Sequence, residues 1–257
     1  MSDIKFSVCI EMIFNDLPIL DRIDAVAQAG MPAIEFWSWR NKDMPAIADR
    51  AAQSKLQIAG FLADCGADLC DPEIHKDWVK GAADSIDQAV AAGAPSLIAT
   101  TGNEMDSIPR EQQHEAIVES LKAIAPYAEE KNITLCLEPL NILVDHAGYY
   151  LVTSKEGFAV VDEVNSPNVK LLYDIYHQQI SEGNVIATIR ENIQRIGHFH
   201  VADVPGRREP GTGEINYENV FAAIAESDYA GFVGLEFRPS TTSVEALAQV
   251  LKIAGQA

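Results

Sequence analysis

The chain has 257 residues, 47% of them hydrophobic and 22% charged, with no low-complexity tract, which is the composition of one large globular unit. Its 19 Lys and Arg stand against 38 Asp and Glu, and a formal charge of −19 repels polyphosphates, so nucleic acid is excluded as the expected partner. No run approaches the roughly 18 apolar residues of a membrane span, which excludes a membrane helix from the expectation.

At the N-terminus, MSDIKFSVCIEMIF lacks the basic and apolar regions of a secretory signal, and Cys9, Cys65, Cys70 and Cys136 show no CxxC pairing. Reduced thiols and a cytoplasmic location are expected. Period and punctuation then predict strands near 4–10, 33–39, 56–64, 95–102, 133–141, 169–177, 196–203 and 231–239. Helical segments lie between them. Asp16 and Pro18 open the first, and Gly30 stops it. Ser107 and Pro109 precede an amphipathic stretch from Arg110 to Lys131, Thr153 and Glu156 have capping-box spacing, and the last helix follows Ser243. Parallel strands joined by helical crossovers must be covered by helices outside, so the expected fold is α/β, a single (β/α)8 TIM barrel spanning residues 1–257. An open doubly wound sheet is the alternative. Against it, IEMIFND at 10–16 contains no glycine and so lacks the phosphate-cradling turn of a dinucleotide-binding fold.

Four of the later strand segments carry an acid or a histidine inside an apolar run: Glu138 in ITLCLEPLN, Asp174 in VKLLYDIYH, His200 in IGHFHVAD and Glu236 in GFVGLEFRP. An ionised carboxylate in a buried strand is costly unless a cation pairs with it. A closed barrel gathers the C-terminal ends of its strands at one mouth, so these four groups can share a centre. One buried acid alone is as often a salt-bridging or capping group, but four in consecutive strands favour a site. Three carboxylates and an imidazole suit one divalent metal ion, magnesium or manganese first, with cobalt or zinc able to substitute.

His177, three residues after Asp174, is placed to donate to a substrate oxygen, with an ordinary loop histidine as the plain alternative. Arg207, in PGRREPGTGE, is placed to clamp a substrate carboxylate; its alternative is a solvated arginine paired with Glu209, and Arg208 is a near-duplicate. Phe14, Trp37, Trp39 and Phe61 fall at or just past early strand ends, where they could wall one side of the mouth, although ordinary core packing is the commoner role for each one singly.

Together LEPLN, YDIYH, GHFHVADVPGR, EPGTGEINY and GLEFRP resemble the hydroxypyruvate isomerases and their sugar isomerase and epimerase relatives of the xylose isomerase-like barrel superfamily. The similarity runs over essentially the whole chain. It implies a barrel with one metal held by Glu138, Asp174, His200 and Glu236, the two glutamates doubling as the acid/base pair, and His177 and Arg207 contacting substrate oxygens. It also implies a homo-oligomer, dimer or tetramer. One departure stands out: hydroxypyruvate isomerases often carry glutamine where this chain has His200, while the ketose epimerases carry histidine.

The expected activity is that of an isomerase acting on a small sugar acid. It would interconvert a short hydroxy-keto acid with its aldehyde form, hydroxypyruvate with tartronate semialdehyde or a 2-oxo-tetronate type substrate, by metal-assisted proton transfer between Glu138 and Glu236. A ketose 3-epimerase is the close alternative, an inosose dehydratase or isomerase the second, and a sugar-acid-binding barrel the non-enzymatic one. A metal-dependent abasic-site endonuclease would need several metals, more than the six histidines present, and a basic face.

Overall fold

Apolar runs of four to six residues are too short to bury a helical stripe, so they pair as strands, and the longer amphipathic segments between them fold back as covers. The structure, a computed structural model, describes residues 4–63 and 65–256. Strand and helix alternate as β1 (Lys5–Cys9), α1 (Ile19–Gln28), β2 (Ala33–Phe36), α2 (Met44–Gln53), β3 (Gln57–Leu62), α3 (His75–Ala92), β4 (Ser96–Ala99) and α4 (Arg110–Lys131). The second half continues with β5 (Thr134–Leu137), α5 (Ser154–Val164), β6 (Val169–Asp174), α6 (Ile175–Ser181), α7 (Val185–Asn192), β7 (Ile196–Val201), α8 (Tyr217–Ala225), β8 (Phe232–Leu235) and α9 (Ser243–Ile253). The strands pair in parallel in chain order, and β1 closes onto β8. The barrel is therefore closed, not doubly wound. None of the described helices is long and apolar enough to cross a membrane.

All eight expected strands form, but each stops short of its expected C-terminal end; that of the third expected strand, at Asp64, lies outside the described residues. The apolar runs persist past the ladder because the loops that follow are themselves buried at the mouth. Backbone pairing often continues for one more residue, as in the Glu138 N–H to Ala99 carbonyl bond of 3.0 Å and the Glu236 N–H to Val201 carbonyl bond of 3.2 Å.

Helix ends follow the sequence unevenly. Helix α1 begins after Pro18 without a side-chain cap, so Asp16 does not cap it, and Gly30 beyond its end takes a left-handed φ of 76°. Thr153 caps α5 through the Glu156 N–H, but the Glu156 carboxylate turns to Arg110 at 2.9 Å, which leaves only half of the expected capping box. The full box forms instead at α9, between Thr242 and Glu245.

Two apolar regions hold the barrel. The larger lies between the outer strand faces and the helices, and includes Phe36 stacked on Phe61 with centroids 5.1 Å apart. The smaller lies in the bore, where Ile98, Cys136 and Leu172 pack together with Leu62. Each large side chain fully buried in this way contributes about 1.5–3 kcal/mol.

Candidate active site

The period of a strand sends Cys136 and Glu138, Leu172 and Asp174, and His198 and His200 to common faces. The bore cluster that contains Cys136 and Leu172 shows that this face is the inner one. Glu138 and Glu236 follow β5 and β8 by one residue, Asp174 ends β6, and His200 lies in β7, beside Asp174 in the β6 register. All four are buried.

They converge on one atom. His200 Nδ1 lies 3.4 Å from Glu138 Oε1, 3.5 Å from Glu236 Oε2 and 4.0 Å from Asp174 Oδ2. None of these forms an aligned hydrogen bond, so a buried imidazole nitrogen faces three carboxylates without a partner. Ligand bonds of about 2.0–2.2 Å place neighbouring donor atoms roughly 3–4 Å apart, so the spacing and the oxygen-rich donor set fit a divalent cation. Glu138, Asp174 and His200 offer donor atoms all within 4.8 Å of one another. Glu236 joins them through His200 while its own oxygens are held from outside, Oε1 by Trp37 Nε1 at 2.7 Å and Oε2 by Arg207 at 2.5 Å.

Arg207 reaches the site because its loop is tied down by one carboxylate. Asp203, two residues past β7, accepts backbone N–H groups of Val204, Gly211, Gly213 and Ile215 at 2.8–3.1 Å. Arg207 itself takes a left-handed φ of 54°, and its carbonyl accepts from the Arg238 N–H. Its guanidinium lies over the Tyr176 ring, 5.3 Å from the centroid. Arg208 turns away to the Arg238 and Pro239 carbonyls, so of the two arginines Arg207 is the one that faces Glu236. The alternative pairing of Arg207 with Glu209 does not form, because Glu209 accepts from Ser240.

His177 is buried on α6 with its ring orientation fixed. Asn141 accepts the Val144 N–H at its Oδ1 at 2.9 Å, so its amide nitrogen must be the atom facing His177 Nδ1 at 2.7 Å. The Asn141 backbone N–H donates to the same Nδ1 at 3.1 Å. Nδ1 is thus an acceptor, which puts the proton on Nε2, an atom with no hydrogen-bond partner that stands 3.6 Å from Asp174 Oδ2. Burial pulls the His177 pKa down to about 3, with Arg207 adding to the effect, so the ring is a neutral donor.

Two contributors escape a reading of the sequence. Glu35, the third residue of β2, is buried in the bore against His198 and His200, both at 3.0 Å. Its run AIEF is too short to show alternation, and no second acid on its strand draws attention to it. Trp37, which the sequence places either in the wall of the mouth or in the core, donates to Glu236. The other aromatics grouped with it serve packing: Phe61 stacks in the outer core, Phe14 is buried there, and Trp39 donates to Ser85 on α3.

Burial and charge oppose each other across this site. Burial raises the Asp174 carboxyl, and Arg207 and His200 only partly offset it. Burial also raises Glu236, but there Arg207 and His200 prevail and hold it below the ordinary carboxylate range. For His200 burial pulls down, and Glu35 and Glu236 lift the ring well above the ordinary imidazole value. Such opposed shifts in one pocket mark chemistry more often than packing.

A family model described as Xylose isomerase-like TIM barrel matches residues 23–254. Hydroxypyruvate isomerase of Escherichia coli is 33% identical over 95% of this chain and 97% of its own length. The 2-oxo-tetronate isomerase of Pectobacterium atrosepticum is 26% identical over 95% of each. Among solved structures, one described as AP endonuclease, family 2, from Brucella melitensis superposes with a TM-score of 0.91 at 28% identity, covering 96% of this chain and 98% of the other. By this match in sequence and in barrel, the chain belongs to the Xylose isomerase-like TIM barrel family and is an isomerase of the hydroxypyruvate isomerase kind.

Proposed function

We propose that the chain moves the carbonyl of a short 2-oxo-3-hydroxy acid to the neighbouring carbon, converting hydroxypyruvate to its aldehyde isomer or a 2-oxo-tetronate to its 3-oxo isomer, by moving a proton between adjacent carbons. The observation that carries this reading is the approach of Glu138 and Glu236, from strands three places apart, to one point at His200 Nδ1, with Arg207 against one of them.

In the forward direction one glutamate takes the proton from the hydroxyl-bearing carbon, a proton is returned to the neighbouring carbonyl carbon, and the hydroxyl proton passes to the former carbonyl oxygen, so that carbonyl and hydroxyl exchange places. The electron pair passes through an enediolate, whose negative charge is the barrier to overcome. Glu138, Asp174, His200 and Glu236 would hold the divalent cation, which when bound supplies Lewis-acid polarisation of the substrate carbonyl. Neutral His177 points its Nε2–H into the same space and donates to a substrate oxygen without competing for the proton in transit. Arg207 stays cationic and exchanges its contact with Glu236 for the substrate carboxylate, which frees that glutamate to act as a base. The relatives named as hydroxypyruvate and 2-oxo-tetronate isomerases support acidic substrates of three or four carbons.

The test is a product analysis across hydroxypyruvate, a 2-oxo-tetronate and common ketoses, followed by NMR and mass. A product of unchanged mass with its carbonyl moved, formed from an acid, is the expected result. Epimerised ketose, or loss of water, would replace this reading with an epimerase or a dehydratase.

A further inference from the structure

The site rests on a second polar cluster deeper in the bore. Glu35 Oε2 accepts from Ser7 Oγ at 2.7 Å and from His198 Nε2 at 3.0 Å, and Glu35 Oε1 stands 3.0 Å from His200 Nε2. The last pair is within hydrogen-bond reach but off the straight line, so both His200 nitrogens lack an aligned partner although the ring is buried. Room for this contact is made by β8: a Cβ at Gly234 would fall 2.4 Å from Glu35 Oε1 and 2.6 Å from the His200 ring.

His200 therefore belongs to two groupings that could each hold a cation, one with Glu138 and Asp174 and one with Glu35 and His198. Distance separates them. On the Glu35 side the atoms sit 2.7–3.0 Å apart, the spacing of shared protons, and Oε2 already accepts two of them. On the Nδ1 side the separations are 3.4–4.0 Å with no proton shared in line.

We infer that Glu35 is a positioning residue for the cation site: its carboxylate takes the Nε2–H of His200, which leaves Nδ1 to bind a cation held together with the acids at the mouth. Ser7 and His198 fix the other carboxylate oxygen, so that Oε1 stays aimed at His200. A metal-bound histidine commonly gives its second ring N–H to a carboxylate, and loss of that partner weakens metal binding about 10–100-fold. The inference rests on the proposed cation site and extends it one layer inward, to residues from β1 and β2.

Titration of metal-free protein with Mn2+, followed by calorimetry, tests it. Wild type should bind one ion, Glu35→Ala should bind one ion about 10–100-fold more weakly, and Glu35→Gln, which restores a neutral acceptor, should recover part of the loss. Ring 15N shifts of His200 in Zn2+-loaded wild type should show a proton on Nε2 and a bound Nδ1, and Glu35→Ala should blur that distinction. Ser7→Ala, a gentler change, should give a smaller weakening and serves if Glu35→Ala fails to fold. Unchanged Mn2+ affinity in the Glu35 and Ser7 variants would overturn the inference alone. Two ions in wild type, one of them lost in Glu35→Ala, would overturn it in favour of a second cation site. No Mn2+ binding by wild type would overturn the cation site itself and this inference with it, while product analysis on an acidic substrate is a separate measurement.

Discussion

The two sides of the barrel bore are built for different ends. Toward β3–β6, Leu62, Ile98, Cys136 and Leu172 pack against each other, and their burial stabilises the fold. Across from them, Ser7, Glu35, His198 and His200, from β1, β2 and β7, form a chain of polar contacts that costs desolvation and offers no gain in apolar area. The difference teaches where to look for function inside a core: on the side where the interior is polar although an apolar filling would be more stable.

The largest effects should fall on the polar side at the mouth. Glu138→Gln and Glu236→Gln should each lower turnover by about a hundred- to ten-thousand-fold while circular dichroism shows a folded barrel. Normal turnover in either would break the assignment of chemistry to that side. On the apolar side the balance reverses. Leu172→Ala should cost about 2–5 kcal/mol of stability by chemical denaturation, with turnover of the folded fraction close to wild type. A stable Leu172→Ala protein without activity would merge the two sides into one.

Arg207→Ala should raise the Michaelis constant for an acidic substrate by about ten- to a hundredfold, the worth of a charge-assisted pair, and leave a neutral ketose little changed. Equal effects on both would remove Arg207 as the reader of a carboxylate. The smallest expected effect is on pH. His177 is held near 3 when folded and titrates near 6.5 when unfolded, so between these values the unfolded chain binds a proton that the native one refuses. The contribution of His177 to stability therefore falls as pH drops below about 6.5. Between pH 6.5 and 5 this one group accounts for about 1–2 kcal/mol. A His177→Gln protein should show a shallower acid limb in urea unfolding, and an identical limb would mean that the ring is not held neutral.

Much of this was legible in the chain because the barrel repeats one rule. Glu138, Asp174, His200 and Glu236 each sit at the end of an apolar run, and closure converts that shared sequence position into a shared place. The strand ends were less legible, since apolar residues continue into loops buried at the mouth. The role of Arg207 against Arg208 depends on how Asp203 ties the β7–α8 loop, a set of backbone bonds with no signature of its own. Glu35 was invisible for a related reason: its partners His198 and His200 are more than 160 residues away, and only closure of β1 on β8 brings the first strands to the last.

The central claim is that this pocket moves a proton from carbon to carbon. Incubation with hydroxypyruvate in D2O, with NMR observation of the hydrogens on C3, addresses it most directly. Exchange of those hydrogens for deuterium by wild type, abolished in Glu138→Gln or in Glu236→Gln, is the predicted result. Retention of every carbon-bound hydrogen on hydroxypyruvate, on a 2-oxo-tetronate and on ketoses by metal-supplied wild-type protein would contradict it.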